Sequence, residues 1–299
     1  MKQTNRGFRA LAHVILIFVS LLVIIPFLLL VSSSFTDEQT LISRGYSILP
    51  QMLSLEAYKY LFAGAGNIFR AYGVTFFVTI VGTAAGLLMT VLLGYALSVK
   101  DLPYRKLLSF VVFFTMLFNG GLIPTYMMYT NVFHIKNTIA ALIIPSLMVN
   151  AFFVIIARSF FASSIPSEVV EAARIDGSGE VGIFFKVVLP MALPIMATLG
   201  LMIGLGYWNN WTNGLYYITE NRLFSVQQLL TEMVRNMQAL QSGELTGLDP
   251  TAVQNLPSTS LRMATAVVSV VPIMLIYPIF QRYFVKGITI GAVKGGSVK

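Results

Sequence analysis

The sequence predicts an all-α polytopic membrane protein of six transmembrane helices, and three observations predict it. Hydrophobic residues make up 56% of the 299 and charged residues only 11%. A soluble globular chain carries about 25% charged residues, so this one lacks the polar groups to cover its surface in water. Six apolar runs are long enough to cross a hydrocarbon core of about 30 Å, which takes about 20 residues of helix. Lys and Arg gather in alternate connections between those runs, as the positive-inside rule requires.

The first span is expected at residues 10–34, after Lys2, Arg6 and Arg9. Basic residues before an apolar run also open a signal peptide, but such an apolar region holds about 7–15 residues. This run is longer and contains Pro26, so it reads as an uncleaved helix. The remaining spans are expected at about 71–99, 107–130, 138–157, 183–207 and 263–280. Gly82/Gly86 and Gly200/Gly204 repeat at helical spacing in the second and fifth, which reads as close helix packing in lipid.

Orientation follows from the basic residues. The N-terminus, the second-to-third connection (Lys100, Arg105, Lys106) and the C-terminal tail (Arg282, Lys286, Lys294, Lys299) belong on the cytoplasmic side. The first loop and the long segment from Trp208 to Arg262 then face outward. The expected organisation is an N-terminal helix and outer loop over 1–70, a core permease domain over 71–282 and a cytoplasmic tail over 283–299. The core would hold a cytoplasmic loop at 163–190 and an outer loop at 208–262.

Several chemistries are excluded early. Cysteine is absent, which removes disulfides, thiolate metal sites and cysteine nucleophiles. The net charge of +8 suits anionic lipid headgroups or acidic partners rather than nucleic acid. His13 reads as an interfacial residue of the first span, and His134 finds no partner at metal-ligand spacing. No catalytic residue, metal site or cofactor is expected.

The connection between spans four and five breaks the basic trend. Its charges are Arg158, Glu168, Glu171, Arg174, Asp176, Glu180 and Lys186, so acids outnumber bases. It suits a protein partner better than a lipid surface. Pro166 and Ser167 start a short helix there, Ala172 and Ala173 give it a small-residue face, and Asp176-Gly177-Ser178-Gly179 is a turn. A second amphipathic stretch carries Val181, Phe184, Phe185 and Val188, and Pro190 and Pro194 punctuate the approach to span five.

The run Glu171-Ala172-Ala173-Arg174-Ile175-Asp176-Gly177, followed by Phe184, Leu189-Pro190 and Pro194, resembles the EAA loop of the membrane subunits of binding-protein-dependent ABC importers. The resemblance implies the type I importer (MetI-like) permease fold and a loop whose coupling helix sits in a groove of a cytoplasmic ATPase. Glu171 would pair with a basic ATPase residue, Ala172 and Ala173 would permit close approach, and Gly177 would supply the bend. Val181 departs from the larger aromatic common in carbohydrate importers.

Asn119-Gly120-Gly121-Leu122-Ile123-Pro124-Thr125-Tyr126 and Tyr207-Trp208-Asn209-Asn210-Trp211 are similar to the carbohydrate branch, particularly permeases for oligosaccharides or polysaccharide fragments. So is the tail Gln281-Arg282-Tyr283-Phe284-Val285-Lys286-Gly287. The resemblance implies a dimer of ATP-binding subunits, a second and homologous permease subunit, an extracellular solute-binding protein and a carbohydrate substrate as partners, beside membrane lipid.

Read from their own chemistry, Trp208, Asn209 and Trp211 suit sugar through ring stacking and amide hydrogen bonds, and equally suit an interfacial aromatic belt. Asn119 and the glycines beside Pro124 fit either a break that lines a cavity or a packed kink. Tyr126 joins the candidate substrate pathway. The polar segment 220–260 is too long for a mere connection and is read as a receptor-docking surface, with a solvated loop as the other reading.

No Walker A pattern is present; residues 287–295 only echo one, without the Gly-Lys-Ser/Thr ending. The spans hold almost no ionisable residues, which argues against an intramembrane enzyme or a proton-coupled transporter. A channel lacks any need for the acidic loop. The expected function is a transporter subunit that is not itself an enzyme, with a non-sugar permease of the same class as the alternative.

Overall fold

The computed structural model describes residues 6–63, 65–145, 147–241 and 259–294. Its elements are helical: α1 (Arg6–Ser34), α2 (Glu38–Arg44), α3 (Glu56–Ala63), α4 (Ala65–Ser98), α5 (Arg105–Leu117) and α6 (Leu122–Met127). They continue with α7 (Ile139–Ile143), α8 (Ala151–Ser164), α9 (Ser167–Ile175), α10 (Glu180–Ile183), α11 (Leu189–Met191), α12 (Leu193–Trp208), α13 (Thr212–Tyr217), α14 (Val226–Gln241) and α15 (Thr259–Lys294). Turns of π-helix, Met128–Val132 and Phe184–Val188, follow α6 and α10.

Among the described residues, three continuous stretches are long and apolar enough to span a membrane: Arg9–Ser34, Gly66–Ser98 and Thr259–Ile276. Three further candidates are bent pairs: α5 with Leu122–Val132 at 116°, α8 with α9 at 78°, and Glu180–Met191 with α12 at 83°. Counting each pair once gives the expected six. The bends have local causes. Phe118 leaves α5 in an extended conformation, and Gly121 takes φ +87°, which glycine adopts at little steric cost.

Two expected spans differ from the structure. The fourth was read at 138–157, but α7 stops at Ile143 and the membrane helix starts afresh at Ala151. Pro145 comes two residues after Ile143 and lacks an N–H for a continuing helix, and the Asn150 side chain caps the new one by accepting from Phe152 N at 2.9 Å. The fifth was read from 183, whereas the long helix begins at Leu193. Residues 183–191 lie instead in short turns bent away from it, with Pro190 and Pro194 each near a helix start. The tail is helical to Lys294, so the glycine-rich echo at 287–291 lies within α15.

The chain divides into two units, Met1–Phe69 with Leu229–Met274, and Arg70–Gln228 with Leu275–Lys299. In the first, no residue of the most apolar 18-residue stretch of α1 is buried, so a solvent of lipid or another subunit must cover it. The chain after α1 is tied down by polar contacts. Asp37 caps α2 by accepting from Thr40 N at 3.1 Å, Phe35 stacks on Tyr58 at 4.8 Å, and Ser34 Oγ hydrogen-bonds Tyr58 Oη at 2.9 Å.

Glu38 does more than start α2. It is 8% exposed, and its carboxylate accepts from Thr259 N, Ser260 N and Ser260 Oγ, each at 2.8 Å. Those are the first N–H groups of α15, which have no partner within the helix, and a carboxylate there also meets the positive end of the helix dipole. Burial pushes the Glu38 carboxyl up, but the hydrogen bonds from Ser260 and Thr259 outweigh it and hold it below the usual carboxylate value.

The second unit is organised on α4. Its glycines receive neighbours that a side chain would displace. A Cβ at Gly82 would lie 2.5 Å from the Tyr207 ring, and one at Gly94 would lie 2.6 Å from Ala157 Cβ. On α12, Gly200 and Gly204 face Leu87 and Thr83 of α4 in return. The repeated glycines therefore form the α4–α12 contact, as their spacing implied. Tyr207 closes this contact by donating its hydroxyl to Ile143 O at 3.0 Å.

Candidate functional site

Two places in the second unit collect the residues singled out by the sequence. The first follows α8. Ile165 and Pro166 are extended, which turns the chain by 78° into α9. Val170 and Ala173 pack against the buried core, while Glu168, Glu171, Ala172 and Asp176 are exposed. α9 ends in a Schellman turn: Ser178 N donates to Ala173 O and Gly177 N to Arg174 O, both at 3.1 Å. Gly177 has φ +81° there, a value that strains any residue with a Cβ.

Arg174 bridges the turn to Glu180 at 2.6 Å. Both side chains are half exposed, so this pair orients the turn more than it stabilises the fold. Beyond it, Ile183, Val188 and Ala192 are fully buried. Phe184 is buried with them, 5.2 Å from the Tyr95 ring of α4, and Tyr95 also meets Phe161 of α8 at 5.7 Å. Pro190 is exposed in the first turn of α11, where its missing N–H costs nothing.

The candidates of this loop thus separate by role. Glu171, Ala172, Asp176 and Gly177 are presented outward; Ala173 is half-buried and turned inward; Phe184 fastens the segment to α4. The sequence reading missed Ile175, which is 86% exposed, and took Val181, 71% exposed, both as part of an amphipathic face with Phe184 and Val188 and as a departure from a pattern. These two apolar side chains flank the Gly177 turn. Ile175 carried a signal, since it is out of helical step with Val170 and Ala173; Val181 did not, since it is in step with the buried Phe184 and Val188.

The second place is a cavity of about 530 Å³ between the break in the third span and the end of α12. Its wall includes Asn119, Thr125, Asn209, Asn210, Trp211 and Tyr216. Asn119 Oδ1 accepts from Gly121 N at 2.9 Å, which fixes the unwound turn. Asn210 Oδ1 accepts from Asn213 N at 3.0 Å and so holds the start of α13. Asn213, which the sequence reading passed over, donates to Pro145 O at 3.0 Å and is buried.

Trp208 stands apart from this wall. It is 3% exposed and packs on Phe76 at 5.1 Å and Tyr72 at 6.4 Å, both on α4. Tyr126 stands one ring behind the wall, stacked on Tyr217 at 5.7 Å, with its hydroxyl accepting from Lys136 Nζ at 3.4 Å. Of the five pathway candidates, Asn119, Asn209 and Trp211 share the cavity. His134 lies in a turn at φ +52°, and among the described residues no group of three His, Asp or Glu is placed to hold a metal.

The two places touch one helix, α4, one at its middle and the other near its C-terminal end. Tyr95 of α4 meets Phe184, and Gly82 of α4 meets Tyr207 beside the cavity. About 20 Å of helix separates Gly82 from Tyr95 at a rise of about 1.5 Å per residue. α12 runs the same way, from the bend at Ala192 to Asn209 in the cavity wall. The remaining candidate surface, 220–260, is described as far as α14, whose start is set by Val226 N donating to Thr75 Oγ1 at 2.9 Å; residues 242–258 lie outside the described residues.

Comparison with known proteins adds the following. A family model described as "Binding-protein-dependent transport system inner membrane component" matches residues 82–290. The chain is 37% identical to the polygalacturonan/rhamnogalacturonan transport system permease protein YtcP of Bacillus subtilis (strain 168), over 97% of this chain and 99% of that protein. It is 30% identical to the arabinooligosaccharides transport system permease protein AraQ of Halalkalibacterium halodurans, over 93% of this chain and 94% of that one. A solved bacterial ABC transporter involved in the import of the acidic polysaccharide alginate contains a chain of the same fold. The TM-score is 0.77 at 24% identity, over 95% of this chain and 99% of that one.

Proposed function

Because the chain belongs to the family of inner membrane components of binding-protein-dependent transport systems, we propose how its two functional ends divide the work of carbohydrate import. The chain is a membrane permease subunit of a bacterial ABC importer for sugars, in the oligosaccharide or polysaccharide class of its relatives. It is not an enzyme: ATP hydrolysis belongs to separate subunits, and a substrate-binding protein belongs to the same system.

The finer reading concerns this chain's residues. α9 and the Gly177 turn form the coupling surface, with Ile175 and Val181 as apolar contacts, Glu171 and Asp176 as charged ones, and Ala172 as the site of close approach. Ala173 holds the helix against its own core, and Phe184 and Pro190 transmit its displacement to α12. The cavity at Asn119, Asn209 and Trp211 belongs to the substrate pathway, with Tyr126 supporting it through Tyr217 and Trp208 fastening α12 to α4. Both termini are cytoplasmic, and the exposed apolar length of α1 fits the presence of a second, homologous permease. ATPase closure moves α9; the rigid α12 carries the motion across the bilayer; the cavity opens to alternate sides.

The observation that carries this reading is the pairing of an exposed, capped and acid-bearing α9 with a fully buried anchor at Phe184. A surface presented on a fixed base can transmit force, where a mobile loop cannot. Deleting residues 168–179 is expected to abolish co-purification of the ATPase subunits while the chain still inserts in the membrane. Ile175→Asp, at a position exposed enough to leave folding unchanged, should weaken it in the same direction. ATPase subunits retained by both variants would overturn the coupling assignment.

A further inference from the structure

We propose that the cavity walled by Asn119, Asn209, Asn210 and Trp211 is a sugar subsite that takes an uncharged monosaccharide unit, reading its hydroxyls and ring face and no carboxylate. The proposal rests on the carbohydrate-permease reading above and deepens it to a substrate class.

Depth comes first. α5 climbs about 20 Å from Arg105 before the break, and α12 about 24 Å from Leu193 before Asn209. In a hydrocarbon core of about 30 Å this puts the cavity in the third of the membrane farthest from the coupling segment. Amide groups left without partners at that depth are expensive against lipid. The wall therefore faces water, or something that replaces water hydrogen bond for hydrogen bond.

Unspent hydrogen-bonding capacity is concentrated there. Asn119 and Asn210 use their side-chain oxygens on backbone N–H groups, and their amide N–H donors take no partner among the described residues. Asn209 makes no side-chain hydrogen bond among the described residues, and neither does the indole of Trp211, which is 43% exposed. The amide donors of Asn119 and Asn210, the donor and acceptor of Asn209 and an open aromatic face match a pyranose: hydroxyls at the edge and a C–H-rich face for stacking. The volume of about 530 Å³ lies within the range of about 300–1,000 Å³ usual for ligand pockets.

Charge decides the class. No side chain lining the cavity is charged at neutral pH. A uronate carboxylate placed here would give up part of its hydration and find no cation in the wall in return, which is unfavourable. Lys136, whose Nζ donates to the Tyr126 hydroxyl at 3.4 Å, does not line the wall.

The test uses the assembled importer in detergent without its binding protein, so that the receptor's own selectivity does not enter. Saturation-transfer NMR is recorded with two probes of equal length, a neutral hexose tetrasaccharide and a galacturonate tetrasaccharide. The neutral probe is expected to bind at least fivefold more tightly. Trp211→Ala and Asn209→Ala should each weaken it at least threefold without changing thermal stability, and Asn209→Lys should shift the preference toward the uronate. A uronate bound as well as the neutral probe, or Trp211 and Asn209 variants that bind unchanged, would overturn the proposal. No binding of either probe, with sugar-stimulated ATP hydrolysis intact in the complete system, would overturn it as well while leaving the permease reading in place. Failure of every sugar to stimulate hydrolysis would instead strike that broader reading.

Discussion

Gly94→Ala is expected to destabilise the chain and to weaken its response to the ATPase subunits. The added Cβ would sit 2.6 Å from Ala157 Cβ, 3.0 Å from Arg158 N and 3.2 Å from Ala157 C. Carbon atoms in contact settle at about 3.5–4.0 Å, so α4 and α8 must part by roughly 1 Å. Overpacking of this kind costs about 1–3 kcal/mol, and the obstacle here is largely backbone, which cannot rotate away. We therefore expect the upper part of that range, about 2–3 kcal/mol. Because α8 leads through Pro166 into α9, the displacement also moves the proposed coupling surface. Ala157→Gly removes the 2.6 Å contact and leaves the two backbone contacts, so the double variant should recover about 1 kcal/mol relative to the sum of the single effects. Thermal denaturation of the purified chain in detergent reads the stability, and substrate-stimulated ATP hydrolysis by the assembled importer reads the coupling. A Gly94→Ala protein that melts with the parent, or a double variant no better than additive, would refute the reasoning.

Three other perturbations follow from contacts described above. Glu38→Gln should cost about 1–2 kcal/mol by weakening charge-assisted hydrogen bonds to the start of α15. Its folded carboxyl lies below the ordinary value of about 4.3, so its contribution is complete above that value and is lost as pH falls through the lowered one. Melting curves from pH 6 to 3 should converge for parent and variant, and curves that stay parallel would contradict this. Tyr207→Phe leaves the buried Ile143 carbonyl without its 3.0 Å partner and should lower stability by about 1–3 kcal/mol, read by the same melting assay. Phe184→Ala removes the buried anchor and should cost about 3–5 kcal/mol locally. ATPase subunits that still bind this variant should no longer be stimulated by substrate; undiminished stimulation would remove Phe184 from the transmission path.

Much of the fold was legible because lipid imposes simple rules. Long apolar runs without charge left α1, α4 and α15 little alternative to continuous helix; the expected bounds lie close to those observed for α1, whereas α15 continues to Lys294, 14 residues past its expected end at 280. The glycine repeats of α4 and α12 also declared themselves, since backbone approach in lipid favours small residues at that spacing. The bent spans were harder. Hydropathy registers that a stretch is apolar and not which way its axis points, so residues 138–145 and 183–191 were absorbed into straight helices. The segment proposed for coupling stood out by its acids and glycines. Its exposed apolar tips were not, because an isoleucine reads as core until a neighbouring turn shows it outside. The Glu38 cap left no trace at all: hydrogen bonds between residues more than two hundred positions apart have no local pattern.

That separation has a consequence for how the protein is made. Glu38 emerges from the ribosome 221 residues before Thr259, roughly 10–40 s earlier at synthesis rates of about 5–20 residues per second. Throughout that interval Thr259 and Ser260, which later donate to its carboxylate, have not been made. The clasp can close only when the start of the final helix arrives. It is therefore a timed event, a late latch that separates a finished subunit from one still being threaded into the bilayer.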